Sequence, residues 1–137
     1  VLIPPAFDLM VYHPFELSYY NRLVGGIRGA HRLGLEVTYF MEAFTPDFLS
    51  GLNDRLPPRA VINASFSNFM LAYYQKENRL RQDIEITDGE DFDYFILLNR
   101  RTTFSEKDLP FLASRPHLYD ASRLDGVPLI LIYKARK

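Results

Sequence analysis

The sequence predicts an α/β fold, a single three-layer domain with a mixed sheet and a C-terminal β-hairpin. Three observations carry this expectation. Strand-like and helix-like segments alternate over the first hundred residues, the pattern of a sheet covered by helices. Near the end, two apolar runs flank Asp125-Gly126, a strong short-range hairpin signal. The 137 residues, 47% hydrophobic and 24% charged, are enough to bury a core without disulfide or metal staples.

The elements follow in chain order. Leu9-Met10-Val11-Tyr12 is the first apolar run and breaks at His13-Pro14. Leu17-Ser18-Tyr19-Tyr20, rich in aromatics, is expected as a short strand or extended entry. Leu23, Ile27, Ala30 and Gly34 then fall at helical spacing, with Gly34 as the stop. Gly25-Gly26 would each cost about 1 kcal/mol against alanine inside a helix. Either the helix begins after them or a close backbone approach requires them. Leu35 to Met41 is β-rich.

Thr45-Pro46-Asp47 combines an N-cap hydroxyl, a first-turn proline and an acid at the positive helix end. Phe48, Leu49, Leu52 and Leu56 supply the buried face of that helix, and Pro57-Pro58 ends it. Ala60 to Ala64 is the next expected strand. Ser65 is expected to cap a helix lined on one side by Phe66, Phe69, Met70, Tyr73 and Leu80. Ile84 and Ile86 alternate with Asp83 and Glu85 as in a half-buried strand. After the Asp88-Gly89 turn, Phe92 to Leu98 forms an apolar strand. Ser105 and Asp108 resemble a capping box, in a helix that Pro110 keeps short. His117 to Leu124 and Val127 to Tyr133 are the two arms of the hairpin.

Composition removes several function classes. Sixteen basic and seventeen acidic residues leave a net charge of −1, so no basic excess exists to neutralise nucleic-acid phosphates. The longest uncharged stretch, Ala60 to Gln75, is too short and too polar to span a bilayer. The opening Val1-Leu2-Ile3-Pro4-Pro5 has no signal-peptide pattern and no initiator Met, which leads us to expect a piece of a longer protein. With no cysteine there is neither a disulfide framework nor thiolate chemistry.

The chemistry-bearing residues form no catalytic constellation, and neither a metal nor a cofactor is expected. His13, His31 and His117 have no metal-ligand spacing. No Gly-x-Ser-x-Gly elbow is present. Gly25-Gly26-Ile27-Arg28-Gly29 is neither a P-loop nor a dinucleotide fingerprint, so a turn or packing role is favoured. The acids Asp88, Glu90, Asp91 and Asp93 match no EF-hand and are expected as a solvated loop. Asn63-Ala64-Ser65 has the form of a glycosylation acceptor, but its place at a strand end argues against use.

The run His13-Pro14-Phe15-Glu16-Leu17-Ser18-Tyr19-Tyr20-Asn21, followed by Gly25-Gly26 and Gly29-Ala30, resembles a segment of one family. It is similar to the region after the last transmembrane helices in bacterial and archaeal glycosyltransferases related to protein mannosyltransferases and aminoarabinose transferase. The usual form there is close to H-P-Y-x-L-x-Y-Y-N-x-L-x-G-G, with Phe15 here in place of the common Tyr. Asp91-Phe92-Asp93-Tyr94-Phe95 and Asp125-Gly126-Val127-Pro128-Leu129 are similar to that family's C-terminal part, so the resemblance runs from about His13 to Tyr133.

The resemblance implies an accessory extracytoplasmic domain, periplasmic or at the cell surface, of a membrane enzyme that transfers sugar from a polyprenyl-phosphate donor. The family's catalytic acids lie in an earlier loop, so none carries over. The implied partner is the transmembrane part of the same polypeptide, together with lipid-linked sugar or acceptor. Tyr19, Tyr20 and Asn21 would lie nearest the membrane junction as binding candidates. Their structural alternatives are packing for the tyrosines and a helix cap for Asn21. The nine Tyr and eleven Phe are expected mostly in the core, with some free to dock on a membrane domain or stack on sugars. Two other functions remain open: a free-standing sugar or small-ligand binding module, and a hydrolase using carboxylates such as Glu36, Glu42 and Asp47.

Overall fold

Five strands form one mixed sheet in a computed structural model that describes residues 7, 10–39, 41–113 and 118–135, with side chains omitted for 118–122. They are β1 (Val61–Asn63), β2 (Glu85–Ile86), β3 (Tyr94–Leu98), β4 (Leu118–Leu124) and β5 (Val127–Lys134), in the order β2-β1-β3-β5-β4. β1 runs parallel to both β2 and β3, while β5 is antiparallel to β3 and β4. The expected hairpin turns at Asp125-Gly126, both with positive φ as its turn type requires. His117, the expected start of its first arm, lies outside the described residues.

β3 explains why its sequence is apolar without alternation. All five of its residues are buried, because both faces of the strand are covered. Tyr94, Ile96 and Leu98 face the main core, with Ile62, Leu129, Ile130 and Ile132 from the sheet. Helices α1 (Gly26–Arg32), α2 (Pro46–Arg55) and α3 (Asn68–Lys76) add Ile27, Leu49, Leu52 and Leu71 to that core. On the opposite face, Phe95, Leu97 and Tyr133 meet Phe92, Phe104, Phe111 and Leu112. The Phe95 and Phe111 rings stack 4.1 Å apart. The short helix α4 (Leu109–Ala113) is therefore the third layer, thinner than the first.

Local signals account for most helix ends. The Thr45 hydroxyl accepts from Phe48 N at 3.1 Å, the N-cap its sequence predicts. Beyond α1, Gly34 has φ 78°, Leu35 N donates to Ala30 O and Gly34 N donates to His31 O. That is a Schellman ending, and it confirms the glycine stop. Asp108, fully buried, accepts from Ser105 N at 2.6 Å and Ser105 Oγ at 2.9 Å, the reach-back half of a capping box. The Gly25-Gly26 pair is met otherwise than expected: the helix starts at Gly26, not after the pair, and both glycines take positive φ. The tight backbone approach falls on Gly29, where a Cβ would sit 1.6 Å from Val24 O.

Arg81 staples the end of α2 to the loop before β2. Its guanidinium donates to Asn53 O, Leu56 O and Pro57 O and pairs with Asp83 at 2.8 Å. The Arg81 bond, helped by Arg59 N–H, holds the Asp83 carboxyl well below the usual carboxylate range.

Three expectations are corrected. Of the two forms expected for Leu17 to Tyr20, the strand is absent and the extended entry is met only from Tyr19, because Glu16–Ser18 forms a 3-10 turn. Residues 35–39 and 41 form no strand either; Val37 and Met41 are buried by packing alone. β propensity expresses itself as a strand only where a neighbouring edge is available to pair. Third, α3 turns only part of the expected face inward. Met70 packs half-buried on the core and Leu80, beyond the helix end, is buried, but Phe66, Phe69 and Tyr73 are exposed, while Ser67 and Leu71 are buried and Tyr74 is half-buried. The inward stripe lies one residue, about 100°, round the helix from the aromatic one. Ser65 does not cap this helix; its hydroxyl instead donates to Asp108 at 2.9 Å, tying the start of α3 to the cap of α4.

Candidate functional site

The Tyr19-Tyr20-Asn21 segment is a clasp between the N-terminal turns and the following loop. The Asn21 side chain accepts from Leu23 N at 3.0 Å and Val24 N at 3.3 Å, capping a 3-10 turn at Arg22–Val24. Tyr20 lies half-buried, and its hydroxyl donates to Glu36 O and shares a hydrogen bond with Tyr39 Oη. Burial first, then Tyr39 and the Glu36 charge, push the Tyr20 phenol far above its ordinary value, so it stays protonated. The Tyr19 ring meets Tyr12 edge-on at 5.6 Å. The structure thus brings the three candidates together in sequence but assigns each a different local partner.

The carboxylates considered for hydrolysis are held by the fold. Glu36 accepts from Arg101 N at 2.9 Å and Thr102 N at 2.8 Å, fixing the start of a 3-10 turn at Arg101–Thr103. Glu42 accepts from Tyr39 N at 3.0 Å and from the buried Ser18 hydroxyl at 3.3 Å. Asp47 stands exposed in the first turn of α2, where its charge suits the positive helix end. These are three separate structural roles.

Other candidates resolve in the same way. Asn63 has both ends of its amide engaged, donating to Gly89 O at 2.9 Å and accepting from Ser65 N at 2.8 Å. Within the acidic loop, Asp88 accepts from Asn68 and Asp93 caps Val61 N. Among the described residues no three His, Cys, Asp or Glu side chains group as metal ligands. His13 pairs with Glu16 at 2.6 Å on the surface.

Two surface features escape a reading of the sequence. The first is a crowding of exposed apolar side chains. Among the described residues, eight of the twelve exposed large hydrophobics lie in residues 7–39: Phe7, Met10, Val11, Leu17, Leu23, Leu33, Leu35 and Tyr39. Leu23, beside the Asn21 cap, is 94% exposed. Helical spacing places Leu23 with Ile27 and Ala30, which misleads because the 3-10 turn and Gly25 reset the chain direction before α1 begins.

The second is a cleft of about 780 Å³ on the thinly covered face of the sheet. Tyr133, Leu131, Phe104 and Leu112 form its apolar wall, and His31, Arg101 and Arg123 bring positive or polar groups to it. Arg101 itself packs against Gly34, where a Cβ would lie 2.9 Å from its guanidinium. Asn99, just past the end of β3, also lines the cleft and donates to Pro128 O at 2.7 Å. These residues come from the end of α1, the loop after β3, α4, the β4–β5 turn and β5, so no sequence spacing links them.

No helix among the described residues is long and apolar enough to cross a membrane. Comparison with known proteins finds no matching family model, no matching curated protein and no matching solved structure.

Proposed function

We propose that the chain is an accessory extracytoplasmic domain of a glycosyltransferase that uses a polyprenyl-phosphate-linked sugar, with the transmembrane part of the same polypeptide as its partner. The observation that carries this reading is the crowding of exposed apolar side chains into residues 7–39. Scattered exposed leucines are ordinary on any protein, so the support here is their concentration in one stretch of the sequence, which is consistent with a surface that meets another apolar body. Leu17 and Leu23 lie within the stretch whose residues resemble the family's membrane-proximal segment, and the other six flank it in sequence. The structural employment of Glu36 and Glu42 favours an accessory role over hydrolysis.

Tyr20 is a poor probe of this proposal because its hydroxyl is tied into the fold. Leu23 and Leu33 are better ones, since both side chains are exposed. Leu23→Asp with Leu33→Asp in the intact polypeptide is expected to lower sugar transfer while the melting temperature of the 137-residue chain stays near the parent value. Unchanged transfer, or a parent polypeptide without hydrophobic spans, overturns the reading. A second reading, a free-standing sugar or small-ligand binding module, is favoured by the cleft beside Arg101 and Tyr133. It requires no membrane spans, and the spans therefore separate the two.

A further inference from the structure

The cleft between the β4–β5 turn and α4 combines two chemistries that are usually found apart. One wall is aromatic and aliphatic, built from Tyr133, Phe104, Leu131 and Leu112. Arg101, Arg123 and His31 line the same cleft. Among the described residues that line it there is no carboxylate. Two acids adjoining its lining residues are engaged elsewhere: Glu36 binds the backbone N–H groups of Arg101 and Thr102, and Asp125 pairs with Arg28 at 2.8 Å. Neither guanidinium is saturated by the bonds described for it. Arg101 Nη1 reaches Gly34 O at 3.4 Å and Arg123 Nη1 reaches Gly126 O at 3.1 Å, while each guanidinium carries five N–H donors.

From this we infer that the cleft binds a phosphomonoester carrying a ring, its phosphate between Arg101 and Arg123 and its ring against Tyr133 and Phe104. Guanidinium forks match phosphate oxygens in charge and geometry, which an ammonium or a lone backbone N–H does not. A volume of about 780 Å³ suits a small molecule with a body, and exceeds what a bare anion would fill. The ring is either an aryl group or a sugar, because both present a flat apolar face to an aromatic wall. The inference rests on the cleft and not on any membrane partner, so its failure would leave the accessory reading standing.

Titration calorimetry of the purified protein with phenyl phosphate, glucose 1-phosphate and inorganic phosphate tests the inference. We expect saturable binding of at least one ring-bearing ester, about fivefold or more tighter than inorganic phosphate. The tighter of the two esters identifies the ring. Arg101→Gln and Arg123→Gln should each weaken that binding about tenfold, the usual scale for losing a charge-assisted bond. Arg79→Gln, which removes a charge outside the cleft, should not. If Arg101→Gln loses its near-ultraviolet dichroism, Arg101→Lys and Arg123→Gln carry the test, and partial retention by the lysine variant is expected. Absence of binding by both esters, inorganic phosphate bound as tightly as the tighter ester, or equal weakening by Arg79→Gln overturns the inference.

Discussion

Residues 10–39 bury only three hydrophobic side chains, Ile27, Ala30 and Val37, whereas the rest of the buried apolar set belongs to residues 41–135. The two regions are consequently held by different forces. The later one is built on a central strand with apolar contacts on both faces, where each methylene removed from water contributes. The earlier one has no strand and is fastened by point contacts: the Asn21 cap, the Tyr20–Glu36 bond, Gly29 against Val24, and Glu36 on Arg101 and Thr102. Hydrogen bonds of this kind contribute little net free energy each, so the N-terminal region belongs to the less stable end of the molecule. A segment that opened locally while the sheet persisted would suit the docking surface proposed above.

Four changes break or sharpen this contrast. Ile96→Ala, at a fully buried site in the middle of β3, is expected to cost ~2–5 kcal/mol and to lower stability as one cooperative transition. Chemical denaturation followed by two probes checks both points; separate transitions would mean that the regions do not share a core. Gly29→Ala forces a methyl onto Val24 O and is expected to cost ~1–3 kcal/mol, as overpacking does. Hydrogen exchange should show faster amides in residues 22–35 with β3 and β5 unchanged. Uniform acceleration would deny that the N-terminal region is a separate unit.

Tyr20→Phe keeps the ring and deletes the hydroxyl bonds, for ~1 kcal/mol. The same bond predicts an alkaline limit. Because the phenol is raised above its unfolded value of about 10, its contribution is full below that pH and fades as pH rises above it. Tyr20→Phe should therefore flatten the loss of stability measured above pH 10, and an unaltered profile would place that loss elsewhere. Smallest is Leu23→Asp, expected within about 0.5 kcal/mol because the side chain is already in solvent. A larger loss by thermal melting would show that Leu23 is packed in solution and would weaken the docking surface.

Much of the architecture was readable from residues close in sequence. Thr45 capping α2, Gly34 closing α1 and the Asp125-Gly126 turn each depend on a residue's own dihedral freedom or on a hydrogen bond spanning three to five positions, and the apolar run of β3 shows as a stretch of consecutive residues. Such terms act within the local chain, and composition is enough to call them. The tertiary structure decided the rest. Leu17–Tyr20 and 35–41 carry β-favouring residues but lack an edge to pair with, so the first folds as a 3-10 turn and link and the second shows no strand in its described residues. On α3 the aromatic stripe was the stronger local signal, yet Leu71 goes inward because the core offers room one position round. The cleft needed assembly above all: His31, Arg101 and Arg123 are separated by dozens of residues and meet only because the sheet order puts the β4–β5 hairpin beside β3. Burial and charge depend on which distant surfaces face each other, and that information resides in no single stretch of the chain.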